Sequence, residues 1–172
     1  YDQFAAGARI TAFVPLFAER FARQRLHALA KVEGLASDGV PIVLFLCVHN
    51  SARSQMAEGL LRARAGDRFE AFSAGNEATE VRPLAIKAMA ELGIDISGQW
   101  SKTTADLGGQ RFDFVITVCD DAREACPYYA NAEQQVHWRF DDPSAATGTE
   151  DEQLAVFRRV RDEIATHIDE FV

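Results

Sequence analysis

The sequence is short of cations, of cysteine and of long apolar runs, and each shortage removes a class of function. Eighteen lysines and arginines stand against 26 aspartates and glutamates, a net charge of −8. Phosphate contacts demand a surplus of cations, so nucleic acid is excluded as a partner. The longest unbroken apolar run, residues 42–48, falls far below the roughly 20 residues of a membrane-spanning helix. The chain opens on Tyr1 and Asp2 without a basic-then-apolar segment, so a secretory leader is not expected. Three cysteines, an odd number, close no disulfide framework and point to the reducing cytosol. They lack the paired C-x2-C spacing of a zinc site, even with His49 or His137 added. There is no internal repeat and no low-complexity tract.

What is there is ordinary globular sequence, 48% hydrophobic and 26% charged over 172 residues, enough for one compact domain and a small appendage. Residues 1–36 are predicted to form a helical extension. Val14, Phe17 and Phe21 make one apolar stripe, and Ala18, Ala22, Leu26 and Leu29 make a second beside it. Pro15 suits a first helical turn and Gly34 a stop. A single helix with so broad an apolar face must dock on the main domain or on a second copy of the chain. Residues 36–41 read as a linker, and residues 41–172 as the main domain.

In that domain, strand patterns at 42–46, 69–73, 112–118 and 136–140 alternate with helical patterns at 54–65, 83–92 and 150–171. The alternation predicts an α/β three-layer sandwich around a four-stranded parallel sheet. Ligands of such sheets bind at the carboxyl ends of the strands. Three features follow strands directly: CVHNSARS at 47–54, CDD at 119–121 and FDDPS at 140–144.

The first is cysteine, five residues, arginine, serine, then a helix. A loop closing onto a helix N-terminus aims backbone N–H groups inward as an oxyanion nest, here Val48, His49, Asn50, Ser51, Ala52, Arg53 and Ser54. Arg53 can grip a tetrahedral anion through two N–H bonds. Cys47 sits at the floor, where the dipole, the amides and the guanidinium all favour thiolate. Ser54 can donate its hydroxyl to that sulfur, and Asn50 tolerates an unusual backbone angle. The plain alternative is an inert buried thiol at a strand end.

The segment LFLCVHNSARSQMAEGLL, with SAG at 73–75 and DP at 142–143, resembles the low-molecular-weight tyrosine phosphatases and, within that fold, the arsenate reductases coupled to thioredoxin. The resemblance runs over residues 41–172. It implies Cys47 as nucleophile, Arg53 as oxyanion clamp and Asp142, the acid directly before proline, as general acid. It also carries over Cys119 and Cys126 as a resolving pair. A phosphatase needs one cysteine, whereas arsenate reduction must deliver two electrons, which thiols supply by ending as a disulfide. No cofactor is implied. The expected partners are arsenate, thioredoxin or an equivalent redoxin, and a second copy of the chain, since relatives with such an N-terminal helix are dimers built through it.

Departures from the resemblance are informative. The phosphatases carry aromatic residues after Asp-Pro to sandwich a substrate ring, whereas Ser144, Ala145 and Ala146 follow here, which suits a small inorganic oxyanion. Some of the reductases hold potassium beside the loop with residues aligning to Asn50, Glu58, Ser73 and an aspartate. Lys102 stands at the last position, so its ammonium is expected to replace the ion and pair with Glu58. Plainer roles remain open: Cys119 as core, Cys126 as a surface thiol, Asp141 and Asp142 as turn caps, His49 on the rim, Trp138 and Phe140 in the core. The rival functions are a phosphatase using Cys47 and Asp142, and a non-enzymatic oxyanion- or redox-sensing module.

Overall fold

Strand β1 (Ile42–Cys47) has the sequence IVLFLC and is buried at every position. So continuous an apolar run belongs inside a parallel sheet covered on both faces. The computed structural model describes residues 39–118 and 129–172, all but the first within a unit spanning Val40–Val172. There β1 pairs in parallel with β2 (Glu70–Gly75) on one side and β3 (Phe112–Thr117) on the other. Strand β4 (Ala132–His137) adds in parallel to β3, giving the order β2-β1-β3-β4. The expected helix in residues 1–36, together with Cys119 and Cys126, lies outside the described residues.

Pleating sends Val43, Phe45 and Cys47 to one face. They join a cluster with Met56, Leu60 and Leu61 of helix α1 (Arg53–Ala65) and Val160, Ile164 and Ile168 of helix α3 (Glu150–Phe171). Leu44 and Leu46, on the opposite face by alternation, are equally inaccessible. Helix α2 (Pro83–Ala90) adds Ala85, Ala88 and Met89 to the cluster. It is tied to α3 by Arg161, whose Nη1 donates to the Ala88 carbonyl at 2.6 Å and to Glu91 Oε2 at 3.1 Å. Helix α3 starts at a reciprocal cap: Thr149 Oγ1 accepts from the Glu152 N–H, while Glu152 accepts from the Thr149 N–H.

Three elements differ from expectation by two residues or more, the first being β2, which runs on to Gly75 rather than stopping at 73. The fourth strand begins four residues earlier than the apolar stretch at 136–140 and ends three earlier. β4 is an edge strand of sequence AEQQVH with mostly exposed side chains, so backbone pairing with β3 rather than burial defines it. The apolar residues beyond it leave the sheet to pack: the Trp138 ring lies 6.0 Å from Phe45 and 5.8 Å from Phe171. The second helix stops at Ala90, and a turn then carries the chain to Gly93 at φ 73°.

Glycine is required at the end of β2. A Cβ on Gly75 would lie 2.5 Å from the Val48 carbonyl oxygen and 2.8 Å from the Asn50 nitrogen. The strand end thus presses against the loop that follows β1, which explains the glycine of the SAG segment.

Candidate active site

Cys47 ends β1, and the loop 48–52 leads directly into α1. Helix α1 begins with Ala52 at its N-cap, without a side-chain cap and without an acidic residue in its first turn. Its leading N–H groups are therefore available to an anion, and its dipole favours one. At this end of the sheet a cavity of about 180 Å³ is lined by Cys47, His49, Ser51, Ala52, Arg53, Arg82, Asp142, Ser144 and Ala145. That is below the roughly 300 Å³ at which organic-ligand pockets begin. The cavity suits a small oxyanion.

The sulfur is set up as a hydrogen-bond acceptor. The Asn50 backbone N–H donates to Cys47 Sγ at 3.1 Å, and Ser54 Oγ lies 2.9 Å from the same sulfur. Asn50 Nδ2 donates to Ser54 Oγ at 2.9 Å. A hydroxyl has one proton. With a lone pair engaged by Asn50, Ser54 directs that proton at the sulfur, so two donors converge on it. Asn50 itself adopts φ 46°, the left-handed region that asparagine enters more readily than most residues.

Arg53 opens α1 and is almost wholly buried. Its Nη1 donates to the Phe140 carbonyl at 3.0 Å, and its Nη2 stands 3.6 Å from Asp142 Oδ1. Asp142 also accepts the Ser144 N–H at 3.0 Å, capping the short turn Pro143–Ala145. It is thus both turn cap and cavity wall. Asp141 points elsewhere, to Arg159 Nη2 at 3.0 Å. His49 lies on the exposed rim, 3.6 Å from Glu77.

Behind the loop is a buried charge cluster. Glu58 Oε2 accepts from Ser73 Oγ at 2.5 Å and lies 3.5 Å from Lys102 Nζ, while Oε1 accepts from Arg62 at 2.5 Å. Burial works to raise the carboxyl's pKa, yet Lys102, Arg62 and the Ser73 hydroxyl together hold it below the ordinary value. Lys102 Nζ also donates to the Trp100 carbonyl at 3.1 Å and sits 4.7 Å from the Trp100 ring centroid. The expected pairing of Lys102 with Glu58 is present.

The fold therefore brings Cys47, His49, Ser51, Ala52, Arg53 and Asp142 to one cavity. Val48, Asn50 and Ser54 do not line it. Asn50 and Ser54 are fully buried behind the sulfur, and the Val48 carbonyl accepts the N–H groups of Asn76 and Glu77. Phe140 is core, but its carbonyl holds the clamp arginine. Ser144 and Ala145, expected beside the cleft in place of an aromatic platform, do line the cavity, whereas sequence patterns did not single out Arg82 as its wall nor Gln55 and Gln99 behind it. Arg82 carried a faint signal, since it directly precedes the proline that opens α2, a helix start following a strand. Cys119 and Cys126 lie outside the described residues.

Comparison with known proteins agrees with this geometry. The profile of the low molecular weight phosphotyrosine protein phosphatase family matches residues 42–172, and that of a protein-tyrosine-phosphatase-like N-terminal domain matches residues 1–30. The chain is 50% identical to an arsenate reductase of Halalkalibacterium halodurans over 130 residues, which is 76% of this chain and 94% of that relative. It is 48% identical to the arsenate reductase of Bacillus subtilis over the same shares. The solved structure of a thioredoxin-dependent arsenate reductase from Corynebacterium glutamicum aligns with a TM-score of 0.70 at 36% identity, covering 98% of this chain and 78% of that one. The family match over the whole main domain, joined to these likenesses, places the chain in the low molecular weight phosphotyrosine protein phosphatase family, among its arsenate reductases.

Proposed function

We propose that the chain reduces arsenate to arsenite and passes the resulting oxidation through three cysteines to thioredoxin. The observation that carries this is the Cys47 sulfur, held as an acceptor at the floor of a small cavity whose walls supply Arg53 and Asp142 and, among the described residues, no aromatic platform. The cavity has room for an inorganic oxyanion, and none of the described residues lining it is a ring that could sandwich a substrate ring.

The first step is attack of the Cys47 thiolate on arsenic, held by the loop amides and Arg53. An S–As bond forms, and one arsenate oxygen departs as water with a proton from Asp142. Cys119 then attacks Cys47 Sγ. The S–S bond forms, the S–As bond breaks with its electron pair left on arsenic, and arsenite is released. Cys126 attacks Cys119, which frees Cys47 as thiolate and leaves a Cys119–Cys126 disulfide. The two thiols of thioredoxin return the two electrons. For each disulfide in turn to form, Cα atoms must approach within about 7 Å, so the segment 119–126 changes conformation between redox states.

Around this chemistry the reading has two domains, residues 1–36 for dimerisation and 41–172 for catalysis. It is supported by the separate profile matches on either side of residues 31–41. The odd count of cysteines, all assigned to redox work, suits a reducing cytosol. Lys102 serves in place of a bound cation, and no step passes through a metal.

Arsenate-dependent oxidation of NADPH in the presence of thioredoxin and its reductase tests the proposal. Turnover that disappears in Cys119→Ser supports it. Fast hydrolysis of an aryl phosphate with Cys119→Ser undiminished, and no arsenate turnover, would make the chain a phosphatase instead.

A further inference from the structure

The nucleophile's hydrogen bonds do not end at Ser54. Asn50 can donate Nδ2 to Ser54 only while its Oδ1 faces the other way, and two donors hold it there. The backbone N–H of Lys102 donates to Oδ1 at 2.7 Å, and Gln55 Nε2 donates to it at 2.9 Å. Gln55 Nε2 also lies 2.9 Å from the Asn50 main-chain carbonyl and 2.9 Å from the Trp100 carbonyl. One amide nitrogen therefore touches both acceptors of the residue that adopts the left-handed backbone angle.

Gln55 is fully buried, so both ends of its amide need partners. Its Oε1 accepts from Gln99 Nε2 at 2.6 Å, and the same nitrogen lies 3.1 Å from the Gln55 carbonyl. The donors then run in one direction: Gln99 to Gln55, Gln55 to Asn50, Asn50 to Ser54, Ser54 to the Cys47 sulfur. Every link has its hydrogen on the side facing the Cys47 sulfur, and the last delivers it there. Hydrogen bonds aligned in this way polarise one another in a buried setting.

We propose that Gln55, braced by Gln99, is a positioning residue for the nucleophile. It holds Asn50 in the left-handed conformation with its amide turned so that Ser54 must donate to Cys47. Gln55 touches neither the sulfur nor the cavity, and its effect reaches the reaction through Asn50 and Ser54. Without Gln99, the buried Oε1 of Gln55 loses its donor, and only the acceptors of its nitrogen remain to hold the amide's orientation. The inference rests on Cys47 as the reactive sulfur, and its test reads that sulfur directly rather than arsenate turnover.

The experiment follows carbamidomethylation of Cys47 by iodoacetamide, quantified on the Cys47 peptide by mass spectrometry from pH 5 to 10. The full chain, Gln55→Met and Gln99→Met are compared. Methionine keeps the length of glutamine and removes the amide. The expected result is a pH midpoint displaced upward in both variants, with reactivity lowered about three- to tenfold below the midpoint and converging with the parent at high pH. Gln99→Asp, which can only accept when ionised, should not restore the profile, whereas Gln99→Asn should restore part of it. If Gln55→Met does not fold, the half-exposed Gln99 decides alone. A Gln99→Met profile superimposable on the parent's would overturn the proposal, and so would variants that melt earlier with the profile unmoved, since that is packing alone.

Discussion

Arg53 Nη1 donates to the carbonyl oxygen of Phe140 across the top of the sheet at 3.0 Å. The clamp on the first loop is thereby fixed to the segment that carries Asp142, and the two reacting groups share one support. The guanidinium uses one side on that carbonyl and keeps its fork for the anion.

Arg53→Lys should therefore fail despite keeping the charge. An ammonium cannot bond the carbonyl and grip two oxygens of the anion at once. A fall in kcat/KM for arsenate of about 10²-fold or more is expected, the scale of losing an oxyanion donor. Steady-state kinetics check it, and activity within a few fold of the parent would mean that charge alone suffices.

Asp142→Asn separates the two roles of that residue. Asparagine still accepts the Ser144 N–H, so the turn at Pro143–Ala145 and the melting temperature should hold. It cannot give up a proton to the leaving oxygen. A loss of about 10²-fold in kcat is expected, read by steady-state kinetics beside the melting temperature.

Arg82 lines the cavity but is exposed, and its backbone N–H is fixed to the Ser51 carbonyl at 2.8 Å. A cation at the mouth attracts the oxyanion before and after it binds. Arg82→Ala is expected to raise KM for arsenate about threefold, as suits an exposed charge, with kcat held. Inhibition by phosphate should weaken by the same factor.

Gly75→Ala places a methyl group against backbone oxygen and nitrogen at 2.5 and 2.8 Å, where no side chain can swing away. A stability loss of about 1–3 kcal/mol is expected by urea denaturation. Alkylation of Cys47 should also slow, because the displaced atoms belong to the nucleophile loop.

Acid should loosen the cluster behind the loop. The folded pKa of Glu58 lies below its ordinary value of 4.5. Its stabilising contribution is thus fully present above that pH and is lost as pH falls toward the folded value. Glu91, gripped by Arg158 and Arg161 and lowered to about 2, contributes in the same direction. Denaturant midpoints should drop from pH 5 to pH 3 in the parent and drop less in Glu58→Gln. Potassium titrated against sodium should change neither kcat nor KM, since Lys102 Nζ holds the place beside Glu58 at 3.5 Å. Marked activation by potassium would count against that.

The fold was legible wherever burial writes a period into the sequence. α3 shows its stripe of Phe157, Val160, Ile164, Ile168 and Phe171, and β1 is a continuous apolar run. β4 was misplaced because an edge strand with exposed side chains leaves no such pattern, while the nearby Trp138 and Phe140 imitate one. At the site, the loop motif disclosed Cys47, Arg53, Ser54 and Asn50 because their roles depend on local spacing. The relay through Gln55 and Gln99 was not legible, since amides in a helix and a distant turn meet only once the backbone is folded. Arg82 was hidden for the same reason.

The central claim is that oxidation passes from arsenic to a pair of cysteines remote from the nucleophile in sequence. Reduced protein is given one equivalent of arsenate without thioredoxin, quenched with acid and alkylated, and its disulfides are mapped by mass spectrometry. The account predicts one Cys119–Cys126 disulfide per arsenite released, with Cys47 recovered as a free thiol. Arsenite released while Cys119 and Cys126 are both recovered reduced would contradict it.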